Sequence, residues 1–290
     1  MSDNAKGLLW ALLASGLYAV VAAMAKIAAL EFHVLQILFF RQMVVFASTL
    51  PMLLNSFPQS LVTRHPGLHA LRLIGAFIAL SCGIWAVAVL PLTTATTLGF
   101  AQVFFVALLA LLFLREPVGV HRIAAIAVGF VGVTVAMRPG IDGLIDPRAL
   151  IPLLAAFGAA LAVIAVRKLS QTESTATLLV YQSLFIGLLS GLPLFWFWAT
   201  PTPTETLFLL AMGVLAALGQ WIGVRALRLG EASLIGSVQY TQLAYAALLG
   251  LVLFSELPDS HTLIGAGIII SAAAYIFHRE ALIHRPKEQA

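Results

Sequence analysis

The chain has 290 residues, 61% of them hydrophobic and only 10% charged, with a mean hydropathy of +1.02. Soluble domains are about 45–50% apolar and about 25% charged, so a water-soluble enzyme, a nucleic-acid binder and a disordered chain are excluded. The net charge of +4 comes from basic residues between long apolar runs, the pattern that sets topology in a bilayer.

Each run is close to the ~20 residues that a helix needs to cross hydrocarbon. In chain order the predicted spans are 7–29, 34–54, 69–90, 93–114, 119–137, 149–167, 175–198, 206–229, 232–254 and 261–278. The first is too long for the apolar core of a cleaved signal peptide and is expected to stay in the protein. A polar stretch with Pro58 and Pro66 ends the second, Arg138-Pro139-Gly140 closes the fifth, and Pro201-Thr202-Pro203 precedes the eighth. Leu90-Pro91-Leu92-Thr93 is almost as apolar as its flanks, but fusing the third and fourth spans would give a helix too long for a bilayer. Cys82 lies inside the third span and is the single cysteine, so no disulfide framework exists.

With the N-terminus in the cytoplasm, the cytoplasmic segments hold Lys6, Arg64, Arg72, Arg115, Arg122, Arg167, Lys168, Arg225, Arg228, Arg279, Arg285 and Lys287. The outer segments hold only Arg138 and Arg148, beside Asp142 and Asp146. That asymmetry predicts both termini inside.

The chain also resembles itself. Leu90, Leu92, Ala95, Gly99 and Gln102 match Leu227, Leu229, Ala232, Gly236 and Gln239 at one shift; Glu116 and His121 match Glu256 and His261 at a neighbouring one. Lys26 falls opposite Lys168, and Arg41 opposite Gln182. Leucine and alanine repeat by chance in such a sequence, but Gln, Glu, Lys and His are rare here, so these matches predict a duplication. Five spans per half would insert the second half upside down. The expected fold is an all-α polytopic membrane protein of ten transmembrane helices in two inverted five-helix repeats, residues 7–138 and 149–278, with a cytoplasmic tail over 279–290. Inverted repeats are the architecture of alternating-access transporters, which hold solute near the midplane.

The order of motifs resembles the drug/metabolite transporter superfamily, in its ten-helix branch with two EamA-type domains. The resembling features are Trp10 and a small-residue first span ending at Lys26, Arg41 in the second, Leu92-Thr93-Thr94-Ala95, Leu114-Arg115-Glu116-Pro117, Gly129-Phe130-Val131-Gly132 and Arg138-Pro139-Gly140. The second half answers with Leu229-Gly230-Glu231-Ala232 and Phe254-Ser255-Glu256-Leu257. Many relatives carry a proline midway in the fourth and ninth spans; this chain has Gln102-Val103 and Gln239-Tyr240-Thr241-Gln242 there. The resemblance implies secondary transport of a small metabolite across the bacterial inner membrane. Export of amino acids or amino-acid-derived compounds leads; uptake of a vitamin or nucleoside-like compound, of the riboflavin or S-adenosylmethionine class, is the alternative.

Polar side chains inside the spans are the candidate site, because each is costly in hydrocarbon, about 2.5–3.5 kcal/mol for a central arginine. Arg41 is the deepest charge: it either snorkels or bonds free carbonyls, or it anchors a substrate carboxylate. Gln102, Gln239 and Gln242 lie at equivalent depths of the two halves, and Gln239, Gln242 and Tyr245 form one stripe; they are interhelical glue or pocket lining. Tyr18, Trp85 and Gln182 complete the expected substrate-binding set, with Tyr181, Gln220 and Trp221 weaker. Lys26, near its span end, reads as a snorkelling side chain. Glu116 and Glu256 read as water-exposed turn residues. Gly187 with Gly191, and Gly219 with Gly223, have the spacing of close helix packing. His65 and His69 are separated by Pro66 and Gly67, which spoils a helical metal spacing. Catalytic motifs and a P-loop are absent from the sequence, so neither an enzyme nor an ATP-driven pump is expected, and no cofactor. No Asp or Glu lies inside a span, which argues against a carboxylate-based proton antiporter of cationic drugs. The expected partners are the lipid bilayer and a small solute bearing an anionic group.

The charge asymmetry is tested with single cysteines at Asp142 and Lys287 in intact cells. An impermeant thiol reagent is expected to label the first and not the second; the reverse pattern overturns the orientation.

Overall fold

A computed structural model describes residues 3–55, 63, 65–114, 120–137, 146–169, 171–229 and 238–283. Among them all regular structure is helical. In chain order the helices are α1 (Asp3–Ala28), α2 (Val34–Asn55), α3 (Pro66–Val89), α4 (Leu92–Gly99), α5 (Gln102–Leu114), α6 (Val120–Ala136), α7 (Leu150–Leu169), α8 (Thr175–Gly191), α9 (Leu194–Phe197), α10 (Pro203–Leu229), α11 (Thr241–Phe254) and α12 (Ser260–Ile283). Among the described residues six apolar segments are long enough to cross a membrane, one of them combining α4 and α5. Four shorter apolar helices lie at 123–136, 177–191, 241–254 and 260–276.

The helix starts carry their own signals. Pro66 opens α3, where a missing N–H costs nothing. Ser174 caps α8 by accepting from Thr177 N at 3.1 Å. Thr202 and Glu205 form a reciprocal capping box at the start of α10, with Thr202 N donating to Glu205 Oε2 at 2.7 Å. Asp259 Oδ1 accepts from Thr262 N at 2.6 Å at the start of α12. At the ambiguous third junction α3 stops at Val89, Leu90 is extended, and α4 begins after Pro91.

Three boundaries differ from the sequence reading. The fourth span is two helices, interrupted at Phe100 and Ala101. The seventh is also interrupted, between α8 and α9. The last helix runs on to Ile283, so the first residues of the expected tail are helical; residues 284–290 lie outside the described residues. The Arg115-Glu116-Pro117 and Arg138-Pro139-Gly140 turns and residues 230–237, the counterpart of 93–100, lie outside them too.

The most extensive packing joins α3 to α7, α1 to α10, α6 to α12 and α2 to α8. Each pair takes one helix from before residue 138 and one from after 147. Small side chains recur in the interior, with Ala19, Ala110, Ala160, Ala226 and Ala273 fully buried beside Phe104 and Leu38, while Leu207, Phe195 and Trp196 stand on the outer surface. Lipid tails are as apolar as leucine, so helices here associate through close van der Waals contact rather than hydrophobic exclusion. The tightest contacts are between backbones. A Cβ on Gly158 would lie 2.7 Å from Gly75 O and 2.9 Å from Ala79 N; one on Gly265 would lie 2.7 Å from Ala136 N. The two pairs with GxxxG spacing meet side chains instead: Gly187 faces Met43, Gly191 faces Phe39, and Gly219 and Gly223 face Tyr18.

Gly158→Ala therefore forces α3 and α7 apart and is expected to cost about 1–3 kcal/mol, read as a lower thermal midpoint of the purified protein. Gly267→Ala, which meets nothing within 4 Å, is expected to leave the midpoint unchanged.

Candidate functional site

A cavity of about 550 Å³ opens between the helices. Ala22 of α1, Gly83, Ala86 and Val87 of α3, Thr96 and Gly99 of α4, Pro152, Ala155 and Arg167 of α7 and Ile276 of α12 form its walls. The interruption between α4 and α5 supplies Phe100, Gln102 and Val103; the segment before α11 supplies Gln239, and α11 supplies Gln242.

The backbone is irregular at just these places. Ala101 N bonds Leu98 O at 3.1 Å, and Val103 N bonds Phe100 O at 3.1 Å, tight i→i+3 links between two α-helices. In the other half Val238 is helical, Gln239 and Tyr240 form a turn, and Gln242 N bonds Gln239 O at 3.0 Å as α11 begins. The two interruptions meet, with the Phe100 and Tyr240 rings 5.1 Å apart. Both breaks form without the midspan proline that many relatives carry.

The lining is mostly apolar, with a few polar groups and almost no charge. Among the described residues the carboxamides of Gln102, Gln239 and Gln242 make no side-chain hydrogen bond, so they are available to a solute or water. Thr96 spends its hydroxyl on Leu92 O at 2.7 Å. Arg167, in the last turn of α7, is the one charged residue among the lining residues described, and no acid is among them. Sequence reasoning had treated Arg167 as a loop charge, since its place at a helix end gives no sign of which way it faces.

Of the eight expected binding residues, the structure brings Gln102, Gln239 and Gln242 to one cavity and sets the other five apart from its lining. Arg41 sits on α2 where α10 approaches, its Cα 3.5 Å from a Cβ built on Gly213. It lies within electrostatic reach of Tyr18 of α1, and its Nε is buried with no hydrogen-bond partner. Tyr18 packs on Gly219, Tyr245 packs on Gly16 of α1, and Trp85 is half exposed on the outside. Gln182 accepts from Arg72 NH2 at 2.8 Å while Arg72 NH1 donates to Leu178 O at 2.6 Å, tying α3 to α8.

That tie belongs to a buried polar cluster the sequence did not reveal. His69 Nε2 lies 2.5 Å from Glu173 Oε2, Thr63 also donates to Glu173, and the His69 ring meets Tyr181 at 4.4 Å. Arg72, expected as a surface charge, is only 4% exposed. Two further readings are corrected. Lys26 does not snorkel: its ammonium lies 2.5 Å from Glu256 Oε1 and donates to Leu90 O at 2.7 Å. Glu256 is correspondingly half-buried rather than water-exposed, and also accepts from Leu92 N at 2.8 Å. No group of His, Cys, Asp and Glu able to hold a metal occurs among the described residues.

The chain matches the model of the EamA-like transporter family twice, over residues 5–138 and 148–278. It is 31% identical to a riboflavin transporter of Vibrio cholerae, over 93% of this chain and 92% of that one. It is 29% identical to an S-adenosylmethionine uptake transporter of Rickettsia felis, over 89% and 87%. It is 31% identical to a pseudopaline exporter of Pseudomonas aeruginosa, over 92% and 94%. One solved crystal structure superposes on 97% of this chain and all of its own with a TM-score of 0.62 at 17% identity, a likeness of fold.

Gly83 and Gly99 present open space where a side chain would project, and both line the cavity. Gly83→Leu and Gly99→Leu are expected to fill it without a steric cost elsewhere: the thermal midpoint stays at the parental value while solute flux falls.

Proposed function

The chain belongs to the EamA-like transporter family, and on that footing we propose that the cavity between its interrupted helices carries an anionic, amino-acid-derived metabolite by alternating access. The chain is a multi-pass membrane transporter of small metabolites, not an enzyme. The finer reading has ten crossings in two inverted halves, residues 7–138 and 149–278, in the bacterial inner membrane with both termini cytoplasmic. The packing of α1 on α10 and of α3 on α7 supports it, because an inverted repeat exchanges those two pairs. So do helix breaks at corresponding places in the two halves, the usual mark of a transport site.

The observation that carries the reading is the lining: three carboxamides without internal bonds, a guanidinium, and no carboxylate among the described residues. A carboxylate solute finds there the neutral amide donors of three glutamines, in the field of a positive charge at Arg167. A cation would find no carboxylate among the described lining residues to offset its desolvation. The volume is within the range of small-metabolite sites. Arg41, buried about 10 Å along α2 from its start, serves as a second anion-attracting group outside the cavity proper. Export is the proposed direction. Uptake of a neutral vitamin such as riboflavin is the second reading, favoured by the Phe100–Tyr240 ring pair beside the glutamines.

Proteoliposomes loaded with labelled solutes separate these readings. Amino-acid-derived carboxylates are expected to exchange, riboflavin on the second reading, and S-adenosylmethionine, with its sulfonium cation, least. Gln239→Leu with Gln242→Leu is expected to lower flux about tenfold, the loss of one or two bonds to a charged group. Arg41→Lys is expected to weaken flux and Arg41→Gln nearly to abolish it, with folded protein unchanged. Wild-type flux in Arg41→Gln, or a matching loss of folded protein, removes Arg41 from the site.

A further inference from the structure

We propose that Lys26 and Glu256 are the gate at one end of the cavity: an ion pair that holds this end shut and parts each time solute passes there. The inference rests on the alternating-access reading, and it assigns two residues a role in transport that cavity lining does not.

The pair joins three separate segments. Lys26 comes from the last turn of α1, and its ammonium lies 2.5 Å from Glu256 Oε1. The same ammonium donates to Leu90 O at 2.7 Å, and Glu256 Oε2 accepts from Leu92 N at 2.8 Å. Leu90 and Leu92 flank Pro91 at the junction of α3 and α4, where a helix end and a helix start leave main-chain groups without intrahelical partners. The Phe254 ring lies 5.2 Å from the ammonium. The two side chains thus clamp the end of α1, the α3–α4 junction and the α11–α12 turn together.

The clamp lies directly above the cavity. Ala22 is one helical turn before Lys26 on the same face of α1, Val87 is three residues before Leu90, and Ala95 is three residues after Leu92; all three line the cavity. The clamp is also of a strength that can be broken repeatedly. Its side chains keep 14% and 22% of their exposure, and partly solvated pairs are worth little against water. When it opens, water satisfies every group it releases.

Glu256 is held in place by the left-handed cap that ends α11. Ser255 has φ 56°, and no other non-glycine among the described residues has positive φ. Its N–H bonds Leu251 O at 3.1 Å and that of Glu256 bonds Gly250 O at 2.9 Å, which folds the carboxylate back over the end of α11. Non-glycine residues in this conformation cluster at switches and sites. By sequence repeat the counterpart pair is Lys168 with Glu116, and Glu116 lies outside the described residues.

The test places spin labels at Glu31 and Ser260, on either side of the clamp, in a Cys82→Ser background reconstituted in lipid, and measures the distance between them. The parent is expected to show one short distance. Lys26→Gln and Glu256→Gln are each expected to raise a longer-distance population about tenfold, as the loss of an ion pair and two main-chain bonds implies. The exchange Lys26→Glu with Glu256→Lys is expected to restore the short distance, and Lys168→Gln not to lengthen it. Unchanged distances in both single variants overturn the gate, as does a lower thermal midpoint without a longer distance, the behaviour of a static tie. Solute flux in the parent is measured alongside: flux with unmoved distances rejects the gate alone, whereas no flux of any solute rejects the transport reading beneath it.

Discussion

Hydrocarbon offers a peptide group no hydrogen-bond partner, so inside a bilayer this chain can leave the helical state only where protein or water covers the exposed amides. That constraint organises the molecule. The interruption at Phe100–Ala101 and the turn at Gln239–Tyr240 face each other and border the cavity, and the free carboxamides of Gln102, Gln239 and Gln242 stand beside them. Irregular backbone, unbonded side chains and open volume coincide because each permits the others. Where α3 gives way to α4 at Pro91, the released carbonyl and N–H are met by Lys26 and Glu256.

The rest of the bundle is arranged around backbone proximity. Alanines sit beside buried side chains such as Phe104, Leu38 and Ile269 in the interior, and leucine, phenylalanine and tryptophan also cover the outside. At Gly75 and Gly158, and at Gly132 and Gly265, the helices come so close that a methyl group does not fit. The buried polar tie of Arg72 to Gln182 and Leu178, beside His69 and Glu173, fastens α3 to α8 and its preceding turn with bonds that lipid cannot compete for.

Depth along each helix was legible in the sequence; direction around it was not. Apolar run lengths located the helical segments, and the rare Gln, Glu, Lys and His matches located equivalent depths in the two halves, which is why Gln102, Gln239 and Gln242 were identified together. A helix that is apolar all round carries no stripe to say which side faces a neighbour. Depth alone therefore places Arg41 with the cavity, whereas the structure sets it on α2 where α10 approaches. For the same reason Arg167 was passed over as a loop charge although it lines the cavity, and Arg72 although it is buried. Glu256 and Lys26 looked like surface residues because their partners are 230 residues apart in the chain. The break before Gln102 had no sequence mark, since no proline announces it.

The pairing of helices across the two halves has a consequence for biosynthesis. Every one of the most extensive contacts joins a helix before residue 138 to one after 147, and Gly75 meets its partner only at Gly158. The first half thus enters the membrane with much of its interior face turned to lipid, and holds only smaller contacts of its own, such as Phe104 against Gly129. The core forms only as α7, α8, α10 and α12 emerge from the ribosome and slot into place, and a nascent chain stopped near residue 140 is a set of inserted helices still waiting for a fold.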